Sequence, residues 1–394
     1  MYYIGIDIAK KSHEVCFVDQ NGQILDGNSF KIPNTLSGVN KLQQMLDRYA
    51  LTPENAQVGM EATGHYWLVL YSWLFEKGFD IKVINPIVTD ALRHMRVRKV
   101  KNDRVDAEIV AKVLMLGEYQ ETAIADGDIL ALRQLCRFRL WQVQTMGDLK
   151  RKVIALLDQV FPEYADLFSD VFGMTSKELL LQYTTPEEIA AVSARKLTTL
   201  LGKSSKGHFG KEKALEIQAA AKGSLGITVA TDAFAFQIRQ MVEQLEFVEE
   251  QITLLDQQIE SYMAKLESPI TTIPGVGPVY GAVILSELGD IHRFPSAKQI
   301  VSYAGIDAQV NESGDFKGTE AHMSKRGSPY LRRAIWGAAF IASRADPQLK
   351  EYYQSLRARG KPHRVAVGAV ARKLCYLIFA VLSENRAYEV RARL

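Results

Sequence analysis

The sequence predicts three parts: an α/β domain over residues 1–120, a helical linker with a long coiled coil over residues 121–267, and a mainly α-helical domain over residues 268–394. Three observations predict this division. Short apolar runs rich in β-branched and aromatic residues alternate with helical periodicities through the first third. A heptad seam runs through residues 238–266. The last third holds apolar helices punctuated by Gly and Pro turns, and it carries the excess of positive charge.

In chain order, residues 2–9 and 14–19 read as strands, and Asn21-Gly22 after them is a hairpin signal. Residues 23–32 complete a three-stranded meander. A helix is expected over residues 37–49, with Val39, Leu42, Met45 and Leu46 inward. A strand over 57–61, a helix over 66–77 and a strand over 81–85 follow, and Pro86 ends the last. A helix then opens at Asp103, with Val105, Ile109, Val110, Val113 and Leu116 as its apolar stripe. Three antiparallel strands, then helix, strand, helix, strand, helix, is the order of a ribonuclease-H-like fold.

On that frame four acids fall at element ends. Asp7 lies near the end of the first strand, Glu61 ends the fourth, and Asp103 and Asp106 share one face of the last helix, a turn apart. Asp103 and Asp106 taken alone also fit the charged first turn of an ordinary helix. Upstream of them stand Arg93, Arg96, Arg98, Lys99, Lys101 and, between them, Arg104. Converging carboxylates repel unless a counter-ion joins them. Carboxylates beside a basic strip suit a site that holds a divalent cation such as Mg²⁺ or Mn²⁺ and grips phosphate.

The middle region is less expressive. Residues 130–161 form a basic helical stretch that Pro162 breaks, and residues 163–232 read as short helices and loops inserted between the domains. From 238 to 266, Ile238, Met241, Leu245, Val248, Ile252, Leu255, Ile259, Tyr262 and Leu266 recur at spacings of three and four. This seam predicts a coiled coil that pairs subunits or joins domains.

In the last part, IPGVG at 273–277 precedes an apolar helix over 278–288, a pattern like half of a helix-hairpin-helix, whose backbone amides hold phosphate. The run IVSYAGI at 300–306 leads into a loop over 307–325 that contains Ser313. Ser328 and Pro329 read as N-cap and N1 of a further helix, and residues 365–382 form a last apolar helix.

The net charge of +3 hides an asymmetry: residues 313–394 hold 16 Lys and Arg against 6 Asp and Glu, and the rest of the chain is net negative. A basic surface of this kind points to nucleic acid. Lys99, Lys101, Arg104, Lys325, Arg326, Arg332 and Arg333 are the candidate contacts to its backbone. Cys16, Cys136 and Cys375 are scattered and fit neither a disulfide framework nor a zinc pattern, so they are expected as buried thiols of a cytoplasmic protein. No stretch reads as a membrane span, and MYYIGIDIAKK is no signal peptide.

The segments GIDIAK, MEATGHYW, VINP and KNDRVDA resemble the amino-terminal domain of the DEDD insertion-sequence transposases, the one-ten family. Its relatives include the Piv-type DNA invertases and the bridge-RNA-guided recombinases. GVGPVYGAVILSELG, YAGI, ESG, MSKRGSPYLRRA and ARKL resemble that family's carboxy-terminal domain. The resemblance implies a fold like that of the RuvC Holliday-junction resolvase for the first domain. It implies Asp7, Glu61, Asp103 and Asp106 as metal ligands and catalytic acids, and Ser313 as the nucleophile that forms a covalent link to DNA. A structured guide RNA and a homo-oligomer, dimer or tetramer, come with it. The residues by themselves leave other choices open: Ser313-Gly314 as a plain turn, Ser324 or Ser328 as the hydroxyl, Tyr303 or Tyr330 for a tyrosine mechanism. The alternative function is a metal-dependent junction resolvase or nuclease that forms no covalent intermediate.

Overall fold

The computed structural model describes residues 1–61, 64–84, 89, 103–117, 127–308, 312–313, 316–317 and 322–390. The chain divides into two compact units, Met1–Ile124 and Ala125–Leu394.

The first unit is built on a mixed five-stranded sheet of order β3-β2-β1-β4-β5: β1 (Tyr2–Asp7), β2 (Ser12–Val18), β3 (Phe30–Pro33), β4 (Ala56–Glu61) and β5 (Asp80–Ile84). The first three strands pair antiparallel; β1, β4 and β5 run parallel. Helices α1 (Leu36–Arg48) and α2 (Trp67–Glu76) contribute to a core with Ile4, Ile6, Val15, Phe17, Val58 and Met60 of the sheet. Because side chains alternate along a strand, the remaining positions of β1, β2 and β4 point to the other face. There Cys16 and Val18 meet Ala107 and Ala111 of α3 (Asp103–Leu116).

At Asn21-Gly22 the chain turns, with Gly22 at φ 80° and the Asp19 carboxylate accepting from the Asn21 and Gln23 N–H groups at 2.9 and 2.8 Å. The third strand is shorter than residues 23–32. Asp26 and Gly27 take left-handed conformations inside a 3-10 turn (Leu25–Gly27), so pairing resumes only at Phe30.

The second unit contains two apolar cores joined by a pair of long antiparallel helices, α4 (Gly127–Val160) and α9 (Thr231–Leu266). Leu245 and Val242 of α9 share a core with Val153 and Leu157 of α4; at the other end Ile259 and Met263 meet Leu132 and Cys136. The heptad seam of α9 is therefore occupied by α4 of the same chain. The helix expected to pair subunits or join domains thus has a partner helix within its own chain. The basic residues of α4 clamp the pair: Arg139 to Asp256, and Lys150 to Glu249 at 3.9 Å.

Residues 163–232 fold onto one end of this pair as a lobe of α5 (Met174–Gln182), α6 (Pro186–Ala191), α7 (Ala194–Ser204) and α8 (Lys211–Lys222). At the other end lie α10 (Pro278–Leu288), α11 (Ala297–Tyr303), α12 (Pro329–Ala345), α13 (Pro347–Ala358) and α14 (His363–Ser383). IPGVG is a close-packing turn here: Gly275, at φ 92°, lies against the α12 backbone, where a Cβ would come within 2.5 Å of the Ala342 nitrogen. Contrary to the sequence expectation, α14, 21 residues long, is apolar enough to cross a membrane, with mean hydropathy 2.0 over an 18-residue window. Its buried side chains, Val367, Val370, Leu374 and Ile378 among them, pack into the larger core, which accounts for that apolarity.

All three cysteines are free and buried, and burial pushes each thiol up to about 12, which keeps them protonated and unreactive.

Candidate functional site

Asp7 is the last residue of β1 and Glu61 the last of β4. The parallel register pairs Ile6 with Met60, so one step further Asp7 and Glu61 stand side by side on neighbouring strands, about 4.8 Å apart in the hydrogen-bonding direction. Both fall on the face that α3 covers, because their neighbours two residues back, Gly5 and Gly59, contact Ala107 and Leu114 of that helix. A Cβ on Gly5 would lie 2.1 Å from the Ala107 carbonyl oxygen, so only glycine lets the helix settle this close. That contact sets the first turns of α3 over the end of β1 that bears Asp7.

Asp106, adjacent to Ala107, is buried at 8% exposure. Asp103 opens α3, but its side chain lies outside the described residues, as do Lys99, Lys101, Arg93, Arg96 and Arg98. Thr89 donates to Glu61 Oε2 at 3.1 Å and orients that carboxylate.

Sequence reasoning missed one acid of this face. Glu14 pairs with Asp7 across the antiparallel β1–β2 ladder, and directly opposed residues share a face. It is 7% exposed, accepts from the Ser29 hydroxyl, and lies 3.9 Å from Arg104 Nε on the first turn of α3. A Glu flanked by apolar Val15, Cys16 and Phe17 in a strand was the available signal. Arg104, expected as a nucleic-acid contact, is 71% exposed and has this carboxylate beside it.

All four acids carry hard oxygen donors, the donor set that Mg²⁺ and Mn²⁺ take. Asp7, Glu61 and Asp106 come from two strand ends and one helix start at one edge of the sheet face. Among the described residues no three metal-donor side chains gather around one point.

In the second unit Ser313 ends the two-residue strand β6 (Glu312–Ser313), which pairs with β7 (Phe316–Lys317) in an antiparallel hairpin. The Ser313 side chain lies outside the described residues. Below the hairpin, its stem is well held. Ala308 bridges to Met323, Ser324 N–H donates to Asp307 O at 2.9 Å, and Lys325 N–H donates to Gly305 O at 3.1 Å.

Ser324 and Ser328, the competing hydroxyls, are both engaged: Ser324 donates to the Asp307 carboxylate, and Ser328 caps α12 by accepting from Leu331 N–H at 3.1 Å. Tyr303 and Tyr330 are packed against Arg293 and Arg137, with ring centroids 4.8 and 4.5 Å from the guanidinium carbons. Arg332, expected at the nucleic-acid backbone, is half-buried and donates to Ala304 O at 3.1 Å. Lys325, Arg326 and Arg333 are exposed and have no ion-pair partner among the described residues.

Two family models match the chain. The DEDD model of the IS110 group, described as a transposase, covers residues 4–162; the other, described as "Transposase IS116/IS110/IS902 family", covers residues 267–354. The chain is 24% identical to an IS110 insertion-element protein of Streptomyces coelicolor over 99% of its own length and 96% of that protein's. It is 23% identical to the pilin gene-inverting protein of Moraxella lacunata, over 99% and 98% of the two chains. A transposase for the IS1111A element of Coxiella burnetii is 22% identical, over 99% and 92%.

Proposed function

The chain belongs to the IS110 family of transposases, enzymes that act on DNA, and we propose that it cuts and rejoins DNA through a covalent phosphoserine intermediate on Ser313. In this reading Ser313 Oγ attacks the scissile phosphorus, and the bond to the 3′-oxygen breaks. A 5′-phosphoserine link and a free 3′-hydroxyl result, the serine proton passing to a base and the leaving oxygen taking one up. A 3′-hydroxyl of the exchanged strand then attacks the same phosphorus, releases the serine and restores a phosphodiester. No high-energy cofactor is needed, because the ester conserves the bond energy.

Asp7, Glu61, Asp103 and Asp106 would hold Mg²⁺ or Mn²⁺, which supplies charge neutralisation at the phosphate. The sheet order, with β1 central and β4 beside it, supports a ribonuclease-H-like, RuvC-like first domain. Lys325, Arg326 and Arg333, exposed around the stem of the Ser313 loop, would grip the nucleic-acid backbone, with Lys99 and Lys101 of the first domain. A structured guide RNA, a dimer or tetramer, and a cytoplasmic site of action complete the reading, on the strength of the family resemblance.

The observation that carries it is the shared face of Asp7, Glu61 and Asp106 at one end of the sheet, in a chain that both halves of the transposase family match. The test is an adduct assay. The protein is incubated with Mg²⁺, the DNA ends of its element and the RNA of that locus, then run on a denaturing gel. Wild type is expected to give a protein–DNA band that Ser313→Ala and Asp103→Asn both lose. Cleaved DNA without an adduct, unchanged in Ser313→Ala, would establish the metal-dependent resolvase instead.

A further inference from the structure

We infer that Glu287 is a positioning residue that holds the stem of the Ser313 loop through Ser328 and Arg137; this rests on the assignment of Ser313 as nucleophile. Glu287 is the penultimate residue of α10 and is 3% exposed. It stands in a run, VILSELG, that is otherwise apolar or small, so its burial demands partners. It has three. Arg137 of α4 donates to both its oxygens, Nε to Oε1 at 2.7 Å and Nη2 to Oε2 at 3.0 Å, and the Ser328 hydroxyl donates to Oε2 at 2.9 Å.

The chemistry of a single hydroxyl makes this arrangement directional. Ser328 has one proton, and an ionised carboxylate can only accept it. The hydroxyl's lone pairs are then left to accept the Leu331 N–H at the start of α12. A serine cap without the carboxylate would be free to rotate. Arg137, fixed by the same carboxylate, lies over the Tyr330 ring and holds the other side of that first turn.

Immediately before Ser328 the returning strand of the loop is pressed against the outgoing one. Ser328 N–H donates to Tyr303 O at 3.0 Å, and Gly327, at φ 100°, sits where a Cβ would be 2.1 Å from that same oxygen. The ladder continues through Gly305–Lys325, Asp307–Ser324 and Ala308–Met323, the described pairs that flank the loop containing Ser313 in sequence. The Glu287 carboxylate is thus the buried end of a hydrogen-bonded chain that runs along the stem as far as Ala308 and Met323.

Stability alone does not call for this cluster. Apolar side chains of similar volume hold helices together at least as well as a buried ion pair. What the carboxylate adds is one fixed geometry at the root of the loop, the kind of support a reacting hydroxyl requires.

The experiment compares Glu287→Gln, Ser328→Ala and Ser328→Thr with wild type in two readouts on the full-length protein. Amide hydrogen exchange of residues 303–308 and 323–331 is expected to speed up by about tenfold in Glu287→Gln and Ser328→Ala, with the rest of the second unit unchanged. On saturating element DNA with Mg²⁺ and the locus RNA, adduct formation is expected to slow by more than about tenfold while DNA affinity stays within about twofold. Ser328→Thr, which keeps the hydroxyl, restores both. Unchanged exchange at the stem, or rate and affinity falling together, overturns the role of Glu287. A wild-type protein that cleaves without a Ser313-linked adduct instead overturns the nucleophile assignment, and with it the catalytic meaning of the loop. The two failures are therefore distinct.

Discussion

Gly5 and Ala107 are in backbone contact: a Cβ on Gly5 would stand 2.1 Å from the Ala107 carbonyl oxygen and 2.4 Å from the Ala111 nitrogen. One residue lies two positions before Asp7, the other immediately after Asp106. Their contact fixes how far the acid of the helix stands from the acids of the sheet. Gly5→Ala is expected to push α3 outward, lowering stability by about 1–3 kcal/mol and reducing strand cleavage by more than stability alone explains. Urea unfolding and cleavage under conditions where the variant remains folded separate the two effects.

Asp106→Asn keeps the volume and removes the charge of a buried carboxylate. If the acids hold a divalent cation, cleavage falls on the order of a hundredfold or more while DNA binding is retained. Titration of Mg²⁺ and Mn²⁺ against cleavage checks the assignment, since a weakened site shifts the metal dependence to higher concentration. Unchanged cleavage with an unchanged metal requirement would remove Asp106 from the site.

Leu245 is fully buried between α9 and α4 of one chain. Leu245→Ala is expected to cost about 2–5 kcal/mol in unfolding free energy without altering the oligomeric state. Light scattering over a range of protein concentrations reads the second part. Were the seam a subunit contact, dissociation would accompany the loss of stability.

His13 is 1% exposed; its Nδ1 accepts from Ala9 N–H at 3.4 Å, and its Nε2 has no partner among the described residues. Burial holds its pKa below the ordinary 6.5, outweighing the opposite pull of the nearby Asn34 side chain. As pH falls through the ordinary value, the unfolded chain takes up a proton that the folded chain refuses. The unfolded state then binds more protons, so stability is complete at neutral pH and falls from about pH 6.5 down to the lowered folded value. The unfolding midpoint of the wild type is expected to drop across that window, and His13→Gln to flatten the drop.

Residues with local consequences were legible from the chain alone. Apolar alternation in Tyr2–Asp7 and Ala56–Glu61, the Asn21-Gly22 turn, and Ser328-Pro329 as the start of a helix all act within a few residues, where backbone sterics and single hydrogen bonds decide. The positions of Asp7, Glu61, Asp103 and Asp106 at element ends follow from the same local rules. Partnership across long stretches of chain was not legible. The seam of α9 predicts a helix that needs an apolar partner, and nothing in its spacing says that α4, about a hundred residues earlier in the chain, supplies it. Apolar burial is non-directional, so a heptad is satisfied equally by its own chain or another. For the same reason α14 passes for a membrane span until the helices packed around it are known. Glu14 beside Asp7, and Glu287 joined to Arg137 and Ser328, depend on strand register and helix packing that bring distant residues within hydrogen-bond range. The chain by itself determines which elements form and where its acids sit on them; the tertiary structure alone decides which charges meet, because desolvation forces a partner only once the fold has buried the group.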